Sequence, residues 1–268
     1  MISANILKII AIISMLVDHI GSYFVADINK DVYFILRSIG RLAMPIFLYL
    51  IVQGFFYTKD IKKYIFRIFC LATVTQIILL VLGIVNEVYF KNYTTRVNEY
   101  IGVLFSYVLS LIFISMIEYK ELIKKANYYI NLILRITVMV LIAIIYFNID
   151  IEFDMRVPFM CIELYVIEKI FMDKETGELI FKRKISKKHQ KILMRLLYIV
   201  LIEAAFVLSL DFSTYHPGCK YAIAFTAIPL ALYSGDKGKK NKFIQTIFYA
   251  VFPIQHLIFY FTAMISSM

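Results

Sequence analysis

The feature that most constrains this chain is a series of uninterrupted apolar runs, each near the ~20 residues an α-helix needs to cross ~30 Å of hydrocarbon. Nine can be marked: 6–24, 32–56, 62–85, 100–118, 129–147, 156–172, 192–210, 219–233 and 243–264. The expected fold is all-α, a polytopic transmembrane helix bundle of about nine spans forming one domain over residues 1–268. Eight or ten spans are the alternatives. The sixth run carries Glu163 and Glu168, and the eighth is short with Pro229 inside it. The first run is longer than a signal-peptide core and no small-residue cleavage pattern follows it, so it is expected to be a retained span. An outer-membrane barrel would need short alternating strands, which continuous runs do not supply. Composition agrees. The chain is 61% hydrophobic and 18% charged, against ~45–50% and ~25% for soluble domains, and its mean hydropathy is +0.77. A water-soluble enzyme, a disordered chain and a nucleic-acid-binding module are excluded on these grounds.

A net charge of +10 would suit a nucleic-acid partner if it formed a patch. Instead the basic residues fall in alternate loops: Lys59, Lys62 and Lys63; Lys120, Lys124 and Lys125; seven between Lys174 and Lys191; and Lys237, Lys239, Lys240 and Lys242. The other loops hold only Lys30, Lys91, Arg96, Arg156 and Lys220. By the positive-inside rule the first set is cytoplasmic, which puts the N-terminus inside. Cys70, Cys161 and Cys219 have no ligand or framework spacing, so neither a disulfide nor a metal site is expected. Asp150, Glu152 and Asp154 alternate in one short loop, which reads as an exposed acidic turn or a cation site.

Ionisable groups within a bilayer cost several kcal/mol and mark candidate sites. Run 1 carries Asp18 and His19, run 2 carries Arg37 and Arg41, run 7 carries Glu203, and run 9 carries His256 beyond Pro253. At ~1.5 Å per residue, His19 lies about 21 Å and His256 about 20 Å from the inner face. Arg37 and Arg41 lie about 9 and 15 Å below the outer face. Segments far apart in sequence thus bring imidazoles, a carboxylate and guanidiniums to one layer. Arg37 is shallow enough to snorkel outward. Arg41 is too deep for that and calls for an acid, with Asp18 and Glu203 as candidates. His256 could equally bond a carbonyl freed by Pro253.

The opening segments LKIIAIISMLVDHIG and IGRLAMPIFLYLIVQGFFYTKDIKKYIFRI, with the late GKKNKFIQTIFYAVFPIQHL, are similar to the TraX family. That family is named for a conjugal-transfer protein that acetylates the N-terminus of pilin. The resemblance implies a multi-pass acyltransferase of the bacterial cytoplasmic membrane, with acetyl-CoA as co-substrate and no metal. Its acceptor would be an envelope protein, a glycan or a lipid. By motif it implies Asp18, His19, Arg37, Gly40, Arg41, Pro45 and His256 as site positions. His256 follows Pro253 after two intervening residues, where the family pattern has one.

Acyl transfer needs a base and an oxyanion stabiliser. His19 is the expected general base or acyl carrier, Arg41 the stabiliser, and Asp18 and His256 their partners. Arg37, Lys59, Lys62, Lys63, Arg67 and Glu203 are the candidate substrate- or cofactor-binding residues, the lysines for the phosphates of the donor. The alternative is a transporter or flippase in which Asp18, His19, Arg41 and Glu203 bind substrate or relay protons.

Overall fold

The computed structural model describes residues 2–25, 28–89, 101–118, 123, 127–153, 155–171, 222–233, 238 and 242–267. Among these residues the chain is helical throughout. The helices are α1 (Ala4–Ile20), α2 (Lys30–Gly40), α3 (Ala43–Tyr57), α4 (Ile61–Tyr89), α5 (Val103–Glu118), α6 (Tyr128–Asn148), α7 (Arg156–Phe171), α8 (Ala227–Leu232) and α9 (Lys242–Ser267). A π-helical turn, Gly21–Val25, continues α1, and a 3-10 turn, Ala222–Thr226, precedes α8. Extended pairing is limited to two isolated parallel bridges, Ile2 with Tyr233 and Ile101 with Ile151.

Among the described residues, four segments are long and apolar enough to cross a membrane: Ala4–Val25, Lys30–Tyr57, Ile61–Val85 and Tyr128–Asn148. Val103–Glu118 and Thr246–Thr262 are shorter apolar helices. Run 2 is one of the four segments, Lys30–Tyr57, with a turn between α2 and α3 where the Arg41 N–H bonds back to both Arg37 and Ser38 and the Leu42 N–H to Ile39. Pro45 then sits in the first turn of α3, where its missing N–H costs no helical bond. Run 6 forms α7, but its charged residues keep it from the apolarity of a span. Among its described residues, run 8 forms the 3-10 turn and the six residues of α8. Run 7, with Glu203, and the basic loop 173–191 lie outside the described residues, as do His189, His216 and Cys219.

The chain divides into two compact units, residues 1–51 with 163–268, and residues 52–162. The second unit shows how a helical protein is built for hydrocarbon. Ile77, Val81 and Ile84 on α4, and Ile136, Val140 and Ile144 on α6, are exposed, and lipid is the solvent that accepts them. The polar side chains turn inward instead. Ser106, Ser110 and Ser115 of α5 are buried, and small residues of this kind let membrane helices approach closely. Ser110 and Ser115 donate to carbonyls four residues back. Ser106 Oγ and Tyr146 Oη of α6 are 2.6 Å apart.

Helix ends in this unit are closed by side chains. Gln76 accepts the Gly102 N–H at 2.9 Å, just before α5. Glu152 accepts the Val103 N–H at 3.1 Å, so this member of the acidic loop caps α5. No cluster of three or more metal-ligating side chains occurs among the described residues. Arg135 donates to the Met116 and Ile117 carbonyls at the other end of α5, at 2.5 and 3.2 Å. Asp60 accepts the Lys63 N–H at the start of α4, and that bond above all holds its carboxyl below the ordinary range.

In the first unit α1 packs on α2 and on α9. The α1–α9 seam is parallel. Lys8 meets Phe248, Met15 meets Gln255, His19 meets His256 and Phe259, and Tyr23 meets Phe259, both helices advancing together.

Tyr146→Phe removes the hydroxyl that bonds Ser106 and is expected to cost about 1 kcal/mol. It should lower the apparent Tm in detergent, whereas Val140→Ala on the lipid-exposed face of α6 should leave it nearly unchanged.

Candidate active site

The candidate site lies in the first unit, where the last turn of α1, the end of α2 and the middle of α9 meet. His19 lies on the α1 face that packs on α9. Its Nδ1 is 2.8 Å from the Met15 carbonyl. A carbonyl only accepts, so Nδ1 carries the proton, and in the neutral ring Nε2 is the basic nitrogen. The His256 ring stands edge-on to it, with centroids 5.0 Å apart and planes at 74°. Tyr23 and Phe259 flank His19, both at 6.4 Å and nearly parallel to the imidazole. The π-helical turn starts two residues after His19, and such turns frequently accompany functional sites.

His256 is half-buried, and its Nδ1 has no hydrogen-bond partner among the described residues. Pro253 lies inside α9 without ending it. The longer spacing between Pro253 and His256 does not turn the imidazole away, because its ring still faces His19.

Asp18, one residue before His19, points to α2 and forms an ion pair with Arg37. This corrects the expectation that Arg37 would snorkel to the outer surface and leave Asp18 for Arg41. In a low-dielectric layer the neighbouring carboxylate offers a charge partner that extension toward the headgroups does not. Gly40 allows this approach, since a Cβ there would collide with the Asp18 side chain. Arg41 is buried, with 7% of its surface exposed, at the break between α2 and α3.

Lys59, Lys62, Lys63 and Arg67 belong to the second unit and are exposed. Lys63 pairs with Asp60 at 3.4 Å, and Arg67 lies over the Tyr64 ring at 5.9 Å. Glu203 is outside the described residues.

Two features of the site escaped the sequence reading. Gln255 is 3% exposed, donates to Met15 Sδ at 3.5 Å and has no partner for Oε1 among the described residues. Tyr260 is 4% exposed, with its hydroxyl likewise without a partner among them. An amide directly before a histidine in an apolar helix was the available signal for Gln255.

Apolar helices with lipid-facing aliphatic surfaces and a polar cluster between them define an integral membrane protein. Its family is given by comparison. The model of the family described as TraX protein matches residues 3–263, and the chain belongs to the TraX family. A 74-residue stretch, 28% of this chain, is 38% identical to a protein named "Probable fimbrial assembly protein FimC, serogroup H1" from Dichelobacter nodosus. That stretch covers 30% of the relative's length. No solved structure matches the chain.

Because Asp18 and Arg37 compensate each other, the Asp18→Asn, Arg37→Gln double variant should lose less stability than the two single losses added together. A double-mutant cycle on thermal unfolding in detergent should return a coupling of about 0.5–3 kcal/mol.

Proposed function

We propose that this protein is a membrane acyltransferase that moves an acetyl group from cytoplasmic acetyl-CoA to an amine of an envelope protein, in the bacterial cytoplasmic membrane. The N-terminus of a pilin or fimbrial subunit is the favoured acceptor. Membership of the TraX family supports the reaction class. The relative named as a probable fimbrial assembly protein supports the kind of acceptor.

The observation that carries the reading is the 2.8 Å contact between His19 Nδ1 and the Met15 carbonyl. With Nδ1 committed to the Met15 carbonyl, Nε2 is free to take a proton. In the reaction the acceptor nitrogen attacks the thioester carbon as Nε2 removes its proton. A C–N bond forms, the C–S bond breaks, and the proton passes to the departing thiolate to give the amide and free CoA. Arg41 stabilises the oxyanion that develops on the carbonyl. Asp18 and Arg37 act as positioning residues, holding the last turn of α1 against α2. His256, beside His19, keeps the second imidazole within reach of the same atoms.

His19→Ala should lower acetyl transfer to a peptide with the pilin N-terminus by about 10²–10⁴-fold, the usual contribution of a general base. Transfer would be followed by mass spectrometry with labelled acetyl-CoA. Wild-type protein that neither binds acetyl-CoA nor acetylates any amine acceptor would overturn the proposal, and uptake of substrate into vesicles would then be the activity to measure.

A further inference from the structure

The stripe of α1 that faces α9 does not begin at Met15. Lys8, Met15 and His19 are spaced at i, i+7 and i+11, which sets them within about 20° of one line along the helix. Lys8 faces α9, its ammonium 5.2 Å from the centre of the Phe248 ring. A lysine directed into an apolar seam four residues from a helix start is costly without an anion. Yet among the described residues both ion pairs lie elsewhere, at Asp18–Arg37 and Asp60–Lys63. Next to Lys8 is the positive end of the α1 dipole, where the side chain of the N-cap residue Ser3 makes no capping bond. Gly238 lies at this end too. Its φ of +74° suits glycine, and a Cβ there would come within 3.0 Å of Ser3 Oγ. Farther along the seam, Gln255 presents a buried carbonyl oxygen that has no donor among the described residues.

We infer that Lys8 is the phosphate anchor of a site running along the α1–α9 seam, with Gln255 Oε1 accepting an amide N–H of the same ligand and the ligand's reactive end at His19 and His256. The ligand chemistry is a phosphate joined to a long, amide-containing arm. This rests on the acyltransferase reading, under which the ligand is acyl-CoA. From Lys8 to His19 is eleven residues, or ~16 Å of helix. A pantetheine arm of about fourteen chain bonds spans a comparable ~17 Å when extended. Its two amides supply a donor for Gln255 Oε1. The phosphate of a phospholipid headgroup shares the anionic chemistry but carries no such arm.

The test uses full-length protein in nanodiscs of zwitterionic lipid, with CoA and pantetheine as probes. Lys8→Met should weaken CoA binding about tenfold or more, as expected when a charge-assisted contact is lost. Lys8→Arg should retain it. Pantetheine, which has no phosphate, should bind wild type and Lys8→Met alike, and this also shows that the variant is folded. Gln255→Leu should weaken both probes. CoA binding unchanged by Lys8→Met overturns the assignment while leaving the acyltransferase proposal standing. Loss of phosphatidylglycerol binding in that variant, with CoA unaffected, overturns it in favour of a lipid. Wild-type protein that binds no CoA fails the underlying reading itself.

Discussion

Hydrocarbon supplies no hydrogen bonds and solvates no charge, so each polar group placed in it must be answered from within the protein. The Asp18–Arg37 pair is where that requirement shapes the first unit most. The pair can form only if α1 and α2 come very close, and Gly40 makes the room. The same contact fixes the last turn of α1, so the adjoining residue, His19, is presented to α9 rather than to α2. An ionic contact thereby determines where the neighbouring imidazole stands.

The second unit meets the same demand differently. It spends hydroxyls, an amide and a guanidinium on helix ends and on the α5–α6 contact, and gives its outer surface over to isoleucine and valine. Its polar groups are taken up in structure. Those of the first unit include a histidine nitrogen, an amide oxygen and a phenol with no described partner. That contrast, more than any single residue, distinguishes the two units among the described residues.

Much of this was readable before any coordinates. Apolar length alone marked α4, α5, α6 and α9 to within a few residues, and helical rise alone placed His19 and His256 at one depth. Depth carries no azimuth, however. Arg37 and Arg41 sit one turn apart, and nothing in their spacing revealed which would turn toward Asp18. The break at Arg41 was hidden for a related reason. An apolar run looks continuous whether or not its backbone is, and the carbonyls taken by the Arg41 and Leu42 N–H groups leave no mark on hydropathy. Gln255 was passed over because an uncharged amide in an apolar helix draws less notice than the histidine beside it.

The shared direction of α1 and α9 has a topological consequence. Two neighbouring segments that traverse a bilayer with the same polarity must both start from the same leaflet. Residues the same number of turns along each then lie at matching depths, so the seam pairs like layers with like: Met15 with Gln255, and His19 with His256.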